Sequence, residues 1–431
     1  MEKQASGLVV TLGLAAFATA FAGRLTDPLI VVLAADFAAA PERVALLGAA
    51  FTLPFALIQP VLGPVGDALG KQRVMLVALA LTTLMLAACA FAPSLTALFW
   101  FRGLSGMAAG GVMPLALAVM GDKVPLAGRQ VAISRLLVLS ISGQAAGGFV
   151  SGLLEGWVGW RGVMLLCALL AGGAALVMLL MARRGPPEAS TRFSLDQAVQ
   201  RYVTLWRTRA AVVCYAAVFI EAVLIFGLFP YIAPLLARQG LGGPPEAGFV
   251  VGAFGIGGLV YALLAPWLLA RLGQGRMVLL GGVVVGASFV GFALAPWLAL
   301  FILAGLLLGT GFYMIHNSIQ TRVTEVAPGA RGSATAMHAF SFYCGQSAGV
   351  AVFGVVAAGV GLLPSLLACA VGIVVLAQWF GVGAGAVRAT AASGAANRHR
   401  GGAANDPRGG DVNDPRGGAA NSSRGGAANR K

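Results

Sequence analysis

The chain has 431 residues, of which 58% are hydrophobic and only 10% charged, and its mean hydropathy is +0.87. Soluble domains carry about 25% charged residues, so this composition excludes a soluble enzyme or regulator and indicates an integral membrane protein. The formal net charge of +14 does not point to nucleic acid, because the basic residues sit in loops between apolar runs and in the C-terminal tail.

Apolar runs of about 20 residues, enough to cross a bilayer, recur twelve times. They lie near 8–34, 44–65, 74–92, 95–121, 130–154, 162–182, 211–236, 247–270, 277–295, 298–322, 331–359 and 362–386, and are called spans one to twelve. A transmembrane barrel would show short alternating segments instead, so an all-α integral membrane fold is expected. Residues 8–22 also have the length of a signal-peptide core, with a cleavage-like Ala20-Phe21-Ala22. However, Glu2 and Lys3 cancel in the leading segment, and the repeat described below makes this run a retained span. With the N-terminus inside, the cytoplasmic loops collect Lys71, Arg73, Lys123, Arg129, Arg183, Arg184, Arg271, Arg276, Arg322 and Arg331, among others. The opposite side receives Arg43, Arg161 and Arg238. The bias towards one side places both termini in the cytoplasm.

A gap near 183–210 divides the spans six and six. The expected organisation is an N-terminal six-helix bundle (1–182), a cytoplasmic linker (183–210), a C-terminal six-helix bundle (211–387) and a disordered basic tail (388–431). Within the linker, 194–202 has the pattern of a short amphipathic helix on the membrane surface, or of a solvated connector. The tail repeats Asn-Asp-Pro-Arg-Gly-Gly and Gly-Gly-Ala-Ala-Asn without an aromatic residue to seed a core. The two halves also repeat. A shift of 202 residues places Pro28 on Pro230, Gly103 on Gly305, Arg129 on Arg331, and Gly143-Gln-Ala-Ala-Gly147 on Gly345-Gln-Ser-Ala-Gly349. With one residue of drift, Gly70 and Arg73 fall on Gly273 and Arg276.

Twelve spans in a six-plus-six repeat suggest a secondary transporter. The polar turn between spans two and three, Gly63-x-x-x-Asp67-x-x-Gly70-Lys71-x-Arg73, resembles the signature loop of the major facilitator superfamily, with Ala68 where that family usually has Arg. Span four contains Arg102-Gly-Leu-Ser-Gly106-Met-Ala-Ala-Gly110, which resembles the family's motif with an intramembrane Arg in proton-coupled members. Span five contains Gly143, Gly147, Gly148 and Gly152, similar to the glycine motif of its antiporters, with Gly148 in place of the usual Pro and Ser151 in place of one Gly. The resemblance covers about residues 8–386. It implies two pseudo-symmetric six-helix bundles and a drug- or metabolite-proton antiporter working by alternating access. It further implies a monomer in a bacterial cytoplasmic membrane, with a small organic solute and protons as partners.

Charged residues inside the membrane are costly and usually functional. Arg24, Asp27, Arg102 and Glu221 are the candidates. Arg24 and Asp27 are three apart on one helix face, and Asp27 and Arg102 fall at similar depth, so an ion pair between spans one and four is one expectation. A carboxylate that alternates between an Arg partner and a dry environment can load a proton in one conformation and release it in the other. Asp27 and Glu221 are therefore candidates for the coupling proton, with structural pairing as the alternative. Span ten carries Tyr313, His316, Asn317 and Gln320 on one face, and span eleven adds His338, Tyr343 and Gln346. These residues, together with Tyr231 and the aromatic Phe226 and Phe229, line the expected solute cavity or bond helix to helix. Asp67 is expected to latch the cytoplasmic gate, and Lys71 and Arg73 to anchor the loop.

All five cysteines (Cys89, Cys167, Cys214, Cys344, Cys369) fall in apolar runs without metal or disulfide spacing. Residues 66–72 fail the phosphate-loop pattern, and no HExxH or GxSxG occurs. No enzyme activity, cofactor, metal or nucleic acid is expected. The expected function is proton-coupled export of a small organic solute. Uptake or facilitated diffusion of a nutrient is the alternative within the same fold, and a polytopic sensor or lipid enzyme the alternative outside it.

Overall fold

The computed structural model describes residues 2–183, 195–326 and 331–381. The linker start, the loop before span eleven and the tail lie outside them, as do the expectations attached to those segments. Among the described residues every regular element is a helix. This follows from an apolar solvent that cannot bond free backbone groups, so each crossing segment must satisfy its own. Ten helices among the described residues are long and apolar enough to cross a membrane. Two of them, Val131–Ala182 and Pro244–Leu294, run 52 and 51 residues. At 1.5 Å per residue each would be over about 75 Å long, more than twice the bilayer core. Each is broken once, at Gly159 (φ 65°, ψ 168°) and at Gly273 (φ 68°, ψ 169°). Each is thus two spans joined by a one-residue turn, and the chain crosses twelve times.

The repeat is visible in these breaks. Gly70 (φ 92°) separates Leu69 from Lys71 as Gly273 separates spans eight and nine, and Gly361 (φ 93°) answers to Gly159. Spans one and seven are interrupted alike. In span one the helix ends at Arg24, a 3-10 turn covers Asp27–Leu29, and a helix resumes over Ile30–Asp36. In span seven the same parts are Arg209–Phe226, Phe229–Tyr231 and Ile232–Arg238. Pro28 and Pro230 stand at the start of the two 3-10 turns, where the missing N–H prevents a continuous helix. Two hydrophobic cores follow the halves, one built almost wholly from residues 8–178 and the other from 205–380.

Small residues set how closely the spans approach. A Cβ on Gly143 or Gly147 would overlap the carbonyl oxygens of Phe17 and Phe21. One on Gly345 or Gly349 would overlap those of Phe219 and Val223. Span five thus packs on span one as span eleven packs on span seven, in the same register. The opposite side of span five meets the other half, with Gly148 against Val251 and Gly152 against the Pro244 carbonyl. Three further contacts between the halves lie towards the same end, away from the linker. Arg238 bonds Glu42 at 3.3 Å, Ser347 donates to the Ala49 carbonyl at 3.3 Å, and Gly48 abuts Pro230. At the linker end, helix Leu195–Arg207 touches both halves. Its Tyr202 hydroxyl donates to the Pro60 carbonyl at 3.4 Å, and its Trp206 packs on Tyr215 of span seven.

The expected polar turn over 63–73 is corrected. Helix Pro41–Leu69 continues through it and the next helix begins at Lys71, so the turn is Gly70 alone. Only glycine readily takes that backbone conformation, and the polar residues around it ride on helix ends.

A Cβ added at Gly159 or Gly273 would meet no atom within 4 Å, so substitution there tests backbone conformation without crowding. Gly159→Ala and Gly273→Ala should each destabilise by about 1–3 kcal/mol, read as a lower unfolding temperature of the purified protein in detergent. Gly156→Ala, also uncrowded but at a helical position, should leave it unchanged or raise it.

Candidate functional site

The two interrupted spans meet at the centre of the molecule. Arg24, at the end of the first helical segment, is 8% exposed. Its Nη1 bonds Asp27 Oδ2 at 3.3 Å, and its Nη2 donates to Gln346 Oε1 of span eleven at 3.3 Å. The guanidinium faces Phe226 at 4.5 Å and Phe229 at 4.6 Å from the ring centroids, close enough for cation–π attraction. Under the 202-residue shift, Phe226 and Phe229 are the counterparts of Arg24 and Asp27. The charged pair of one half therefore sits against the aromatic pair of the other. Gln346 is likewise the counterpart of Gln144, and Gln144 lines a small cavity together with Arg24, Phe229, Phe254 and Tyr313. That cavity offers about 10 Å³, room for about one water, so a solute can occupy it only after the halves move apart.

Arg102 lies in span four, fully buried. The expected ion pair with Asp27 is corrected. Asp27 bonds Arg24 of its own span, whereas Arg102 Nη1 donates to the Ala22 carbonyl at 2.9 Å and its guanidinium covers the Phe51 ring at 4.4 Å. Its Nε and Nη2 have no hydrogen-bond partner. Asp27 is only three residues from Arg24, so that pair closes within span one, and the Ala22 carbonyl, in the last turn of the helix that ends at Arg24, accepts from span four.

Glu221 is fully buried in span seven. Its Oε2 lies 2.9 Å from His316 Nδ1 of span ten, and its Oε1 has no partner. The His338 ring of span eleven is 5.0 Å from that of His316, and its Nε2 is buried and unpartnered. Tyr313, His316, Asn317 and Gln320 form one half-buried stripe between buried neighbours. Tyr313 faces the central cavity and stacks on Tyr261. Tyr343 of span eleven packs edge-on against Phe55 of span two, 4.5 Å between centroids. Tyr231 is placed apart from the others, because its hydroxyl donates to the Val350 carbonyl at 3.2 Å and its ring packs on Phe353.

At the junction of spans two and three, Lys71 pairs with Asp122 at 2.5 Å and Arg73 is exposed. The surroundings of Gly63 and of the Asp67 side chain lie outside the described residues, so the latch expectation attached to Asp67 does too. The cysteines are all free. Among the described residues no group of His, Cys, Asp and Glu is arranged to hold a metal ion. Sequence reasoning missed Gln144 and Phe254 as cavity residues. Gln144 was detectable as the repeat partner of Gln346, whereas Phe254 carried no signal beyond its apolar character.

Residues 12–350 match the Major Facilitator Superfamily. The chain is 27% identical over 298 residues to a gallate transporter of Pseudomonas putida, a match covering 62% of this chain and 65% of that relative, just short of two thirds of its length. It is 26% identical over 292 residues to the 4-hydroxybenzoate transporter PcaK of Acinetobacter baylyi, covering 56% and 61% of the two chains. Its fold is similar to the crystal structure of a mutant of the nucleoside transporter NupG, with a TM-score of 0.72 at 16% identity over 86% of this chain and 98% of the other. Twelve crossings, a repeated pair of broken helices meeting at a central arginine and the match over most of the chain agree: this multi-pass membrane protein belongs to the Major Facilitator Superfamily and is a secondary transporter, not an enzyme.

Proposed function

We propose that this protein carries a small planar organic acid across the membrane together with a proton, by alternating access. The observation that carries this reading is Arg24, buried between Phe226 and Phe229 and bonded to Asp27 and Gln346. Guanidinium recognises carboxylate through paired hydrogen bonds. A solute carboxylate can take the position of Asp27 on Arg24, while its ring takes the aromatic walls. Gln144, Tyr313, Asn317 and Gln320 are then available to ring substituents. Two relatives named for gallate and 4-hydroxybenzoate, both aromatic acids with a single carboxylate, support this class of solute.

Charge favours co-transport. With the termini in the cytoplasm, an anion moving inward works against an inside-negative potential, at about 2.3 kcal/mol per 100 mV. A proton moving with it cancels that cost. The second reading, export in exchange for protons, is favoured by the glycine motif of span five. Helix packing accounts for those glycines equally, since Gly345 and Gly349 make the same contacts in the second half.

In proteoliposomes, an acid exterior should drive accumulation of radiolabelled 4-hydroxybenzoate. Acid-driven loss of the compound from preloaded vesicles would establish export instead. Indifference to the pH gradient would remove proton coupling altogether, and failure to carry any aromatic acid would remove the solute class. Arg24→Lys keeps the charge but loses the planar fork and its stacking. It should lower transport by roughly 10–100-fold, the equivalent of about 1.5–3 kcal/mol for a charged hydrogen-bonding group, while the protein still inserts into the membrane.

A further inference from the structure

We propose that Glu221, His316 and His338 form a proton-carrying site in the second half, separate from the solute site at Arg24. This rests on the reading of the protein as a proton-coupled carrier and assigns the proton a place within it.

The fold itself does not require these three residues. Shifted by 202, they fall on Thr19, Pro114 and Leu136 of the first half. Thr19 satisfies its hydroxyl on the carbonyls of Ala15 and Ala16, and Leu136 is plain buried core. The first half therefore builds the same helix packing with no ionisable group at any of the three positions. In the second half, a carboxylate and two imidazoles are placed together from three spans, at the cost of leaving Glu221 Oε1 and His338 Nε2 buried and unbonded. Buried polar atoms left unsatisfied in a native structure call for an explanation, and a carboxyl group that is neutral for part of the cycle, so that its free oxygen is not that of a permanent charge, provides one for Glu221. Charge around the cluster is sparse. Glu221 is the sole charged residue of span seven between Arg209 and Arg238. Spans ten and eleven bring His316 and His338 to it, and the Arg24 of span one is engaged by Asp27 and Gln346.

The step balances on these side chains alone. Unloaded, the Glu221 carboxylate accepts the Nδ1–H of His316, whose Nε2 keeps its lone pair. A proton from water adds to Nε2, and the Nδ1 proton passes to Glu221 Oε2. The result is a neutral carboxylic acid donating to Nδ1 and a neutral imidazole protonated at Nε2. One proton has been taken up, and the site has gone from one negative charge to none. The side chain of His316 is 12% exposed and that of Glu221 is not exposed at all, so the imidazole is the entry and the carboxylate the store. His338 is a positioning residue, its ring packed 5.0 Å from that of His316. A contact path connects this site to the solute site. His316 packs on Phe312 at 4.8 Å and Phe342 at 4.7 Å, both rings pack on Phe226, and Phe226 covers Arg24. A solute ring bound at Arg24 would press on the same side chains that hold the imidazole.

Two measurements test this on the full-length protein. Infrared spectroscopy of purified protein without solute should show a protonated-carboxyl band that titrates in the wild type, persists in Asp27→Asn and disappears in Glu221→Gln. In proteoliposomes with 4-hydroxybenzoate, Glu221→Gln should lose gradient-driven accumulation by about tenfold or more, a coupling loss on the scale of about 1–3 kcal/mol. It should keep exchange of internal for external solute within about twofold, since exchange needs no net proton release. His316→Gln should show the same split, and takes the place of Glu221→Gln should the latter not fold. Accumulation at the wild-type level in Glu221→Gln, or a titrating band untouched by it, would overturn the assignment. So would a folded Glu221→Gln that has lost exchange as well, because the group would then belong to solute binding. A wild type that carries no aromatic acid but shows the Glu221 band would leave the proton site standing and remove the proposed solute.

Discussion

The structure depends on one buried guanidinium at the crossing of two broken helices. A charge within the membrane costs up to about 2.5–3.5 kcal/mol on insertion scales, and Arg24 offsets it with a carboxylate three residues on, an amide from the other half and two aromatic faces. The carboxylate is a local i, i+3 neighbour, whereas the amide and the aromatic faces come from spans eleven and seven. Pro28 and Pro230 interrupt spans one and seven at the same level, and the two 3-10 turns come into contact where the halves meet. The arginine thus ties together elements from each half, which is what a central site in a two-bundle carrier requires.

The repeat separates scaffold from chemistry. What recurs is mechanical: the prolines that break spans one and seven, the positive-φ glycines that turn the chain between spans, and the glycines that seat spans five and eleven on their neighbours. The ionisable groups buried within the spans do not recur. Arg24 and Asp27 answer to Phe226 and Phe229, and Glu221 and His316 answer to Thr19 and Pro114. One half therefore supplies a cation where the other supplies aromatic surface, and the second supplies a buried acid where the first has a satisfied hydroxyl. Such complementarity lets a duplicated scaffold place different chemistry in its two halves.

Much of the scaffold was legible in the sequence because its signals are local. Apolar length marked out the spans, and the aligned prolines and glycines revealed the repeat. The buried charges were also legible, since a charged residue in an apolar run is conspicuous wherever it packs. Their partners were not. Glu221 and His316 are 95 residues apart, and Arg24 and Gln346 are 322 apart, and only helix rotation and tilt decide whether such pairs meet. The expected Asp27–Arg102 pair failed for this reason: equal depth does not fix the direction a side chain faces. The turn at 63–73 was overestimated because its polar composition looks like a loop, whereas the helix persists until a single glycine breaks it.

Closure at the end away from the linker has a particular physical character. The ion pair there, Glu42 with Arg238, has both side chains exposed, and exposed pairs are worth about 0–1 kcal/mol. It cannot act as a lock. Closure rests instead on close packing at Gly148 and Gly152 of span five, where a side chain on either glycine would overlap the other half. Close-packed interfaces tend to be either formed or separated, because intermediate gaps forfeit the contacts without admitting solvent or lipid. A closure of this kind is all-or-none, and a ligand shifts it by as much as its affinity differs between the closed and open forms. The charge held at Arg24 and the proton proposed for Glu221 lie in opposite halves, and the aromatic residues between them, beside the direct bond from Arg24 to Gln346, connect each to that interface.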